Sequence, residues 1–427
     1  MSELPEGWKR VVFGDVSSRY ISGGTPKSSV PEYWDGAVPW TTSAAIDADD
    51  LHLTEPKRYI SDEGLANSSA KVVPKGSLLV GTRVGVGKAV VNLLDIAISQ
   101  DLTGVVLNES LIDPEFAAYV FKCATAQDFF DARKRGATIK GVSRSDLKQV
   151  PLRLPPVSDQ QAIVQALRSV HVAIESRRDE LGVERERKTA LVARLLAFGT
   201  RGEPTKDSAA GKVPASWQVT RLGKLIGWGP QNGLYKPQSA YGTGTPILRI
   251  DAFSPGDTVS EHGLKRVQLS ADEEETYSLQ EGDIVLNRVN GNISLVGKAA
   301  IVGRLNESIV FESNMMRFML DSDVVTSEYV NTFLASPVGR SLLISRARHT
   351  NQVSVNQGDV KSLPVPVPAR EEQRVIANII SACDNKIAVL VSEIELHEEL
   401  FQALLEDLTT GQRSALPLPE TQQEVAA

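Results

Sequence analysis

The chain has 427 residues, 41% apolar and 23% charged, enough for two or three hydrophobic cores, and a net charge of −7. It shows no apolar run of membrane-span length, no signal-peptide core in MSELPEGWKR, and only two cysteines, Cys123 and Cys383, which exclude a disulfide framework and a Cys-based zinc site. The acidity is local: residues 369–427 carry 4 basic and 11 acidic side chains, whereas 1–157 and 212–368 are close to neutral, so either could present a basic face to nucleic acid.

Residues 1–157 open with Leu4-Pro5-Glu6-Gly7-Trp8 and continue as short strand-like pieces between Gly, Pro and Asp clusters. Pro74 to Val80 reads as a turn and a buried strand, followed by a glycine-rich loop closing on Gly87-Lys88-Ala89. A strand opens after Ser99-Gln100-Asp101, a helix is predicted from Pro114 to Phe130, and a polar loop follows over 136–143. Residues 158–199 predict one long helix. Its apolar residues step by four and three through Ile163, Leu167, Val170, Ile174, Leu181, Leu191, Leu195 and Phe198, and Arg177, Glu184 and Lys188 interrupt them. So narrow a seam between charges predicts a coiled coil and not a helix lying on a sheet, with a span of roughly 60 Å. A Gly/Pro/Ser/Lys-rich linker is expected over 200–212.

The chain then repeats itself. Residues 213–368 restart at Val213-Pro214-Ala215-Ser216-Trp217, and 369–412 form a second helix with the seam Ile376, Ile380, Cys383, Ile387, Leu390, Ile394, Phe401, Leu404 and Leu408. Residues 413–427 are expected to be a disordered tail. Val150-Pro151, Leu154-Pro155 and Gln160 recur 213 residues later as Leu363-Pro364, Val367-Pro368 and Gln373. Domain, helix, domain, helix is the organisation, and the shared register predicts an antiparallel helix pair with pseudo-two-fold symmetry.

With its opening LPEGW, Ser22-Gly23-Gly24-Thr25-Pro26, Val38-Pro39-Trp40-Thr41-Thr42, the strand over 282–288, Val-Gly-Lys-Ala at 296–299 and the proline-rich lead-in over 363–373, the layout resembles the specificity (S) subunit of type I restriction–modification enzymes. The resemblance implies an α/β (α+β) fold of duplicated target-recognition domains joined by two long antiparallel coiled-coil helices. It implies that each domain reads one half of a bipartite double-stranded DNA target in the cytoplasm, without membrane contact, and that the helices set the spacing and dock two methyltransferase subunits. Two restriction–translocase subunits could join them. S-adenosylmethionine, ATP and Mg2+ would then belong to those partners, with no cofactor and no metal bound by this chain. Two departures stand out: the second half has Gly229-Pro230-Gln231-Asn232-Gly233 in place of the Gly-Gly-Thr-Pro loop, and the first glycine loop is five residues shorter.

The basic and amide residues supply candidate DNA contacts. In the first half they are Thr25, Trp40, Thr41, Arg83, Lys88, Arg133, Arg135, Lys140, Ser143 and Arg144. In the second they are Arg249, Arg288, Lys298, Arg346, Arg348, Gln352 and Asn356. Arg, Gln and Asn can make bidentate contacts to guanine or adenine edges, and Lys and Ser suit phosphate. Arg133 and Arg135 stand 213 residues before Arg346 and Arg348, and Arg83 is matched with Arg288 across the glycine loops. No P-loop spacing and no Asn/Asp-Pro-Pro-aromatic motif of amino-methyltransferases occurs, so no catalytic residue is expected. Two other readings stay open: a coiled-coil protein-binding scaffold with duplicated domains, or a single-chain DNA-modifying enzyme.

Overall fold

The structure, a computed structural model, describes residues 4–47, 49–136, 140–253, 258–349 and 352–413, so all but Arg413 of the expected tail lies outside the described residues. The chain divides into two units, the first made of residues up to 177 together with those from 393 onward, the second of 178–392.

In the first unit Lys9–Val12 pairs antiparallel with Pro151–Leu154, joining the two ends of the globular segment. A five-stranded sheet runs in the order Ser17–Ser22, Leu102–Leu107, Leu78–Gly81, Ala89–Asn92, His52–Leu53, and a four-stranded one in the order Arg58–Ile60, Val38–Thr41, Ile96–Ile98, Lys71–Val73. The strands Leu78–Gly81, Ala89–Asn92 and Ile96–Ile98 are buried along their whole length, which is why they read as continuous apolar runs and not as alternation. The second unit repeats the plan. Gln218–Arg221 pairs with Pro364–Val367; a four-stranded sheet runs Ile226–Asn232, Met315–Leu320, Ile284–Asn287, Ala299–Ile301; and a three-stranded one runs Lys265–Val267, Tyr241–Leu248, Val310–Phe311.

The single helix expected from Pro114 to Phe130 is two, and so is its counterpart expected from Ser327 to Leu343. Pro114–Lys122 stops at Cys123, and Ala124–Asp131 starts afresh with the Ala124 N–H donating to the Glu406 carboxylate. In the second unit Ser327–Ala335 stops at Ser336, whose hydroxyl caps Pro337–Ile344 by accepting from Gly339 N–H. Pro337 lacks the N–H that a continuous helix needs and suits the first helical position instead. The expected linker also carries structure, since Thr205–Ser208 and Gly211–Pro214 form a hairpin.

The long helices are Val157–Phe198 and Arg370–Thr410. In each unit the halves present run antiparallel. Ile163, Val164 and Leu167 share a core with Leu405, Leu408 and Phe116 in the first unit, and Val192, Leu195 and Leu196 share one with Ile376, Ile380 and Trp217 in the second. At these ends the apolar stripe is wider than the predicted seam and merges with the domain core, so the helices there are part of the globular domains and not a free coiled coil. The three interruptions of the seam are ion pairs. Arg177 meets Glu393 at 3.0 Å in the first unit; in the second, Glu184 meets Lys386 at 2.7 Å and Lys188 meets Asp384. Such pairs tie charged positions to one register.

The last helix corrects one sequence expectation. An 18-residue stretch of it has mean hydropathy 1.5 and no more than two charges, the length and composition of a membrane span. Asn378, Ser381, Asp384, Asn385 and Lys386 interrupt its apolar residues in sequence, so no contiguous run reveals them, and Asp384 and Lys386 are the ion-paired residues just described.

Two glutamines, both fully buried, clamp the start of each long helix. Gln160 accepts from Asp113 N–H (2.8 Å) and donates to the carbonyls of Leu111 and Pro155 (2.9 Å each). Gln373 accepts from Thr326 N–H (2.9 Å) and donates to Val324 (3.1 Å) and Pro368 (3.0 Å).

Candidate nucleic-acid interface

Each unit laces two loops together through the backbone. In the first, the chain leaves Leu78–Gly81 with Thr82 and Arg83 N–H both donating to the Asp101 carbonyl (2.8 and 3.4 Å), and Val142 N–H donates back to Thr82 (2.8 Å). Arg135 and Gly141 exchange two bonds of 2.9 Å, closing the polar loop on itself. Gly141 is required there, because a Cβ would meet the Thr82 carbonyl oxygen at 2.8 Å. Between the loops lies a cleft of about 720 Å3, lined by Arg83, Arg135, Gly141, Val142, Ser143 and Asp146.

The second unit makes the same bonds. Arg288 and Val289 N–H donate to Asn314 (2.9 and 3.3 Å), Val355 N–H donates to Arg288 (2.9 Å), and Arg348 pairs with Ser354. These bonds fix the equivalences. Arg135 matches Arg348 and Ser143 matches Asn356, as the 213-residue spacing predicts. Arg83, however, matches Val289, and Arg288 matches Thr82, which corrects the pairing of Arg83 with Arg288. The offset at these residues is 206 and not 213, because the second unit is four residues longer between Asn287 and Lys298 than the first is between Gly81 and Lys88, and three longer between Lys298 and Asn314 than between Lys88 and Asp101.

Several predicted contacts serve the fold instead. Ser143 and Asn356 are reciprocal helix caps: Ser143 Oγ accepts from Asp146 N–H and its own N–H donates to Asp146 (3.0 Å each), and Asn356 does the same with Asp359 (3.0 and 2.8 Å). The Ser143 hydroxyl, then its backbone, and the more distant Arg135 and Arg133 hold the Asp146 carboxyl below its usual range. Trp40 and Thr41 are buried, and the Trp40 indole N–H donates to the Gly24 carbonyl (3.1 Å), so neither presents a surface to a ligand. Lys88 donates to the Ile46 carbonyl (2.7 Å). Arg249 is held by Asp251 (3.2 Å) and Glu312 (3.8 Å). Arg346 donates to Leu342 (2.5 Å) and Ser362 (3.2 Å). Arg288 donates to the Ser313 carbonyl (3.0 Å), and burial lowers its pKa. Lys298 is half-buried. Arg133 lies flat on Phe129, 3.6 Å from the ring centroid.

The exposed remainder is Thr25, Arg83, Arg135, Lys140 and Arg144 in the first unit and Arg348 and Gln352 in the second. Thr25 donates to Gln100 (2.6 Å), and Arg144 donates to Ser22. Residues 137–139, 350 and 351 of the two polar loops lie outside the described residues. Two residues escaped the sequence reading. Tyr235 is 80% exposed, and the matched bonds Gly24 N–H to Ile98 (2.9 Å) and Leu234 N–H to Phe311 (3.0 Å) put it where the first unit has Thr25. A tyrosine in a glycine-rich polar loop was the available signal. Arg340 braces the second glycine loop by donating to the Val296 and Ser294 carbonyls, and no sequence signal separates it from a surface arginine. The loop that lacks Gly-Gly-Thr-Pro keeps its close contact. A Cβ on Gly23 would meet Ile98 O at 2.0 Å, and one on Gly233 would meet Glu312 O at 2.2 Å.

The family described as "Type I restriction modification DNA specificity domain" matches residues 5–181 and again 214–396. The chain is 24% identical over 390 residues to the type I restriction enzyme EcoKI specificity subunit of Escherichia coli K12, covering 88% of this chain and 81% of that one. It is 23% identical over 421 residues to the type I restriction enzyme MjaVIII specificity subunit of Methanocaldococcus jannaschii, covering 96% and 93%. Among solved structures it shares its fold with a chain from a study of complex assembly and conformational transition of the type I R-M system, at TM-score 0.59 and 18% identity over 97% of this chain and all of that one. The S subunit of a type I restriction–modification system from M. genitalium gives TM-score 0.53 at 14% identity, over 94% and 96%.

Proposed function

The chain belongs to the family of type I restriction–modification DNA specificity proteins, and from that premise we propose that its two units read the two halves of a split DNA target for an enzyme whose catalytic groups lie on other chains. The observation that carries the reading is the loop platform built twice on identical backbone bonds but lined with different side chains. One frame with two linings suits one kind of ligand in two sequences. A protein-binding scaffold has no need of exposed arginines at the same place in both units.

In this reading methyltransferase subunits dock on the long helices and bring S-adenosylmethionine, restriction–translocase subunits bring ATP and Mg2+, and the complex acts in the cytoplasm. This chain supplies position. It fixes register through phosphate contacts and selects sequence through base edges, and neither role requires a nucleophile or a general base. The test is to assay the purified chain with and without the methyltransferase subunit encoded beside it, on DNA carrying all split targets, and to map methylated bases. Methylation is expected only with both chains and at a two-part sequence. Methyl transfer or cleavage by this chain alone, or methylation without sequence preference, would overturn the proposal.

A further inference from the structure

The two units are internal controls for each other. Both halves of a DNA target share the phosphate backbone, so a side chain that holds phosphate can be the same at the same place in both units. Half-sites of different sequence require different side chains at the places that meet bases.

On the matched loops one basic side chain is exposed in both units. Arg135 and Arg348 are both exposed, and both sit on the loop strand bonded to Gly141 or to Ser354. A second position differs. Arg83 is exposed in the first unit, and Val289 is half-buried at its equivalent in the second. Arg83 is well placed to read rather than merely attract. Its backbone is fixed on Asp101 and laced to the second loop through its neighbour Thr82, and among the described residues its guanidinium has no hydrogen-bond or ion-pair partner. Gly141 leaves space beside it, since a Cβ there would come within 3.5 Å of Arg83 Cγ. The carboxylate lining the cleft, Asp146, hydrogen-bonds Ser143, its charge acts on Arg135 and Arg133, and it makes no ion pair with Arg83. The planar fork of an arginine matches O6 and N7 of guanine in the major groove, and no other base offers two acceptors there.

We propose that Arg83 reads a guanine in the half-site of the first unit, that Arg135 and Arg348 hold phosphate, and that the second unit makes no demand for guanine at the matching position. The assignment rests on the proposed function.

The test uses the full chain with its methyltransferase subunit, bound to a library of duplex DNA with two randomised blocks and read by sequencing. The proteins are the native chain, Arg83→Ala, Arg83→Lys and Arg135→Ala, each checked for an unchanged melting temperature. Arg83→Ala is expected to lose a guanine preference on the order of 10- to 100-fold at one position of one half-site, with the other half-site untouched. Arg83→Lys should keep part of the affinity and lose most of the preference, because an ammonium is not a fork. Arg135→Ala should weaken every sequence alike and lower the salt dependence of binding by about one phosphate contact. An Arg83→Ala complex that selects the native sequences, or that loses affinity evenly across all of them, would overturn the assignment and leave the proposed function standing. A native complex that enriches no sequence would overturn the proposed function and this assignment with it.

Discussion

Replacing Gln160 tests whether the clamp at the start of the first long helix contributes what its geometry implies. Gln160→Leu keeps the volume and removes three hydrogen bonds, leaving the Pro155 carbonyl buried and the Leu111 carbonyl and Asp113 N–H partly buried without partners. An unsatisfied buried group costs about 1–3 kcal/mol, and the two partly exposed groups cost less because water can reach them, so the expected loss is about 2–4 kcal/mol. Gln160→Ala adds the space it vacates and should cost at least as much. Gln160→Glu is expected to be worst, because a carboxylate would face two carbonyl oxygens with no donor between them. The assay is hydrogen exchange resolved along the chain, together with urea unfolding. Protection should fall in the first unit while amides of the second exchange as before, and Gln373→Leu should give the mirror result. A Gln160→Leu protein within about 0.5 kcal/mol of native, or one losing protection equally in both units, would refute the argument.

Three further outcomes are expected. Asn356→Ala should destabilise the second unit by about 1 kcal/mol and Asn356→Ser by much less, with half-site preferences unchanged in binding selections, because its side-chain oxygen is already taken by the Asp359 N–H as a helix cap. The Lys386 ammonium, through a hydrogen bond and its charge, holds the Glu184 carboxyl below the usual glutamate range, so the pair's stabilisation should be present above that range and lost as pH falls through the lowered pKa. Lys386→Met should flatten that acid limb in thermal melts, and an unchanged limb would refute the coupling. Adding seven residues to each long helix, between the positions of the Arg177–Glu393 and Glu184–Lys386 pairs, preserves the heptad and should lengthen the unread gap by about three base pairs, from roughly 10 Å of added helix. Methylation maps in cells would show it, and an unchanged gap with retained activity would mean that the helices do not set the spacing.

The repeat and the two helices were legible because periodicity and proline position are local properties of the sequence. The three breaks in the first seam became intelligible only against the second helix, whose Glu393, Lys386 and Asp384 answer them. The site was legible as a region and much less so residue by residue. Ser143 and Asn356 carry the chemistry of a DNA contact and of a helix cap alike, and the Asp three residues on decided for the cap. Lys88 read as a free cation because its partner, Ile46, is distant in sequence, whereas Arg249 has Glu312 far off but Asp251 only two residues on, a partner the sequence did offer. Trp40 looked available because a tryptophan beside threonines and prolines gives no local sign of burial, and it was the approach of Gly24 that took up its N–H.

The close approach at Gly23 and Gly233 has a consequence for how this protein can change. With a carbonyl oxygen at 2.0 to 2.2 Å from where a Cβ would stand, both positions refuse every other amino acid unless the neighbouring strand shifts. Two residues further on, the same loops hold an exposed Thr25 in one unit and an exposed Tyr235 in the other. The space open to a side chain therefore rises from none to that of open solvent within two residues. A population of such genes could explore new targets by point changes on that outer side while each protein still folds, and each unit could do so independently of its twin.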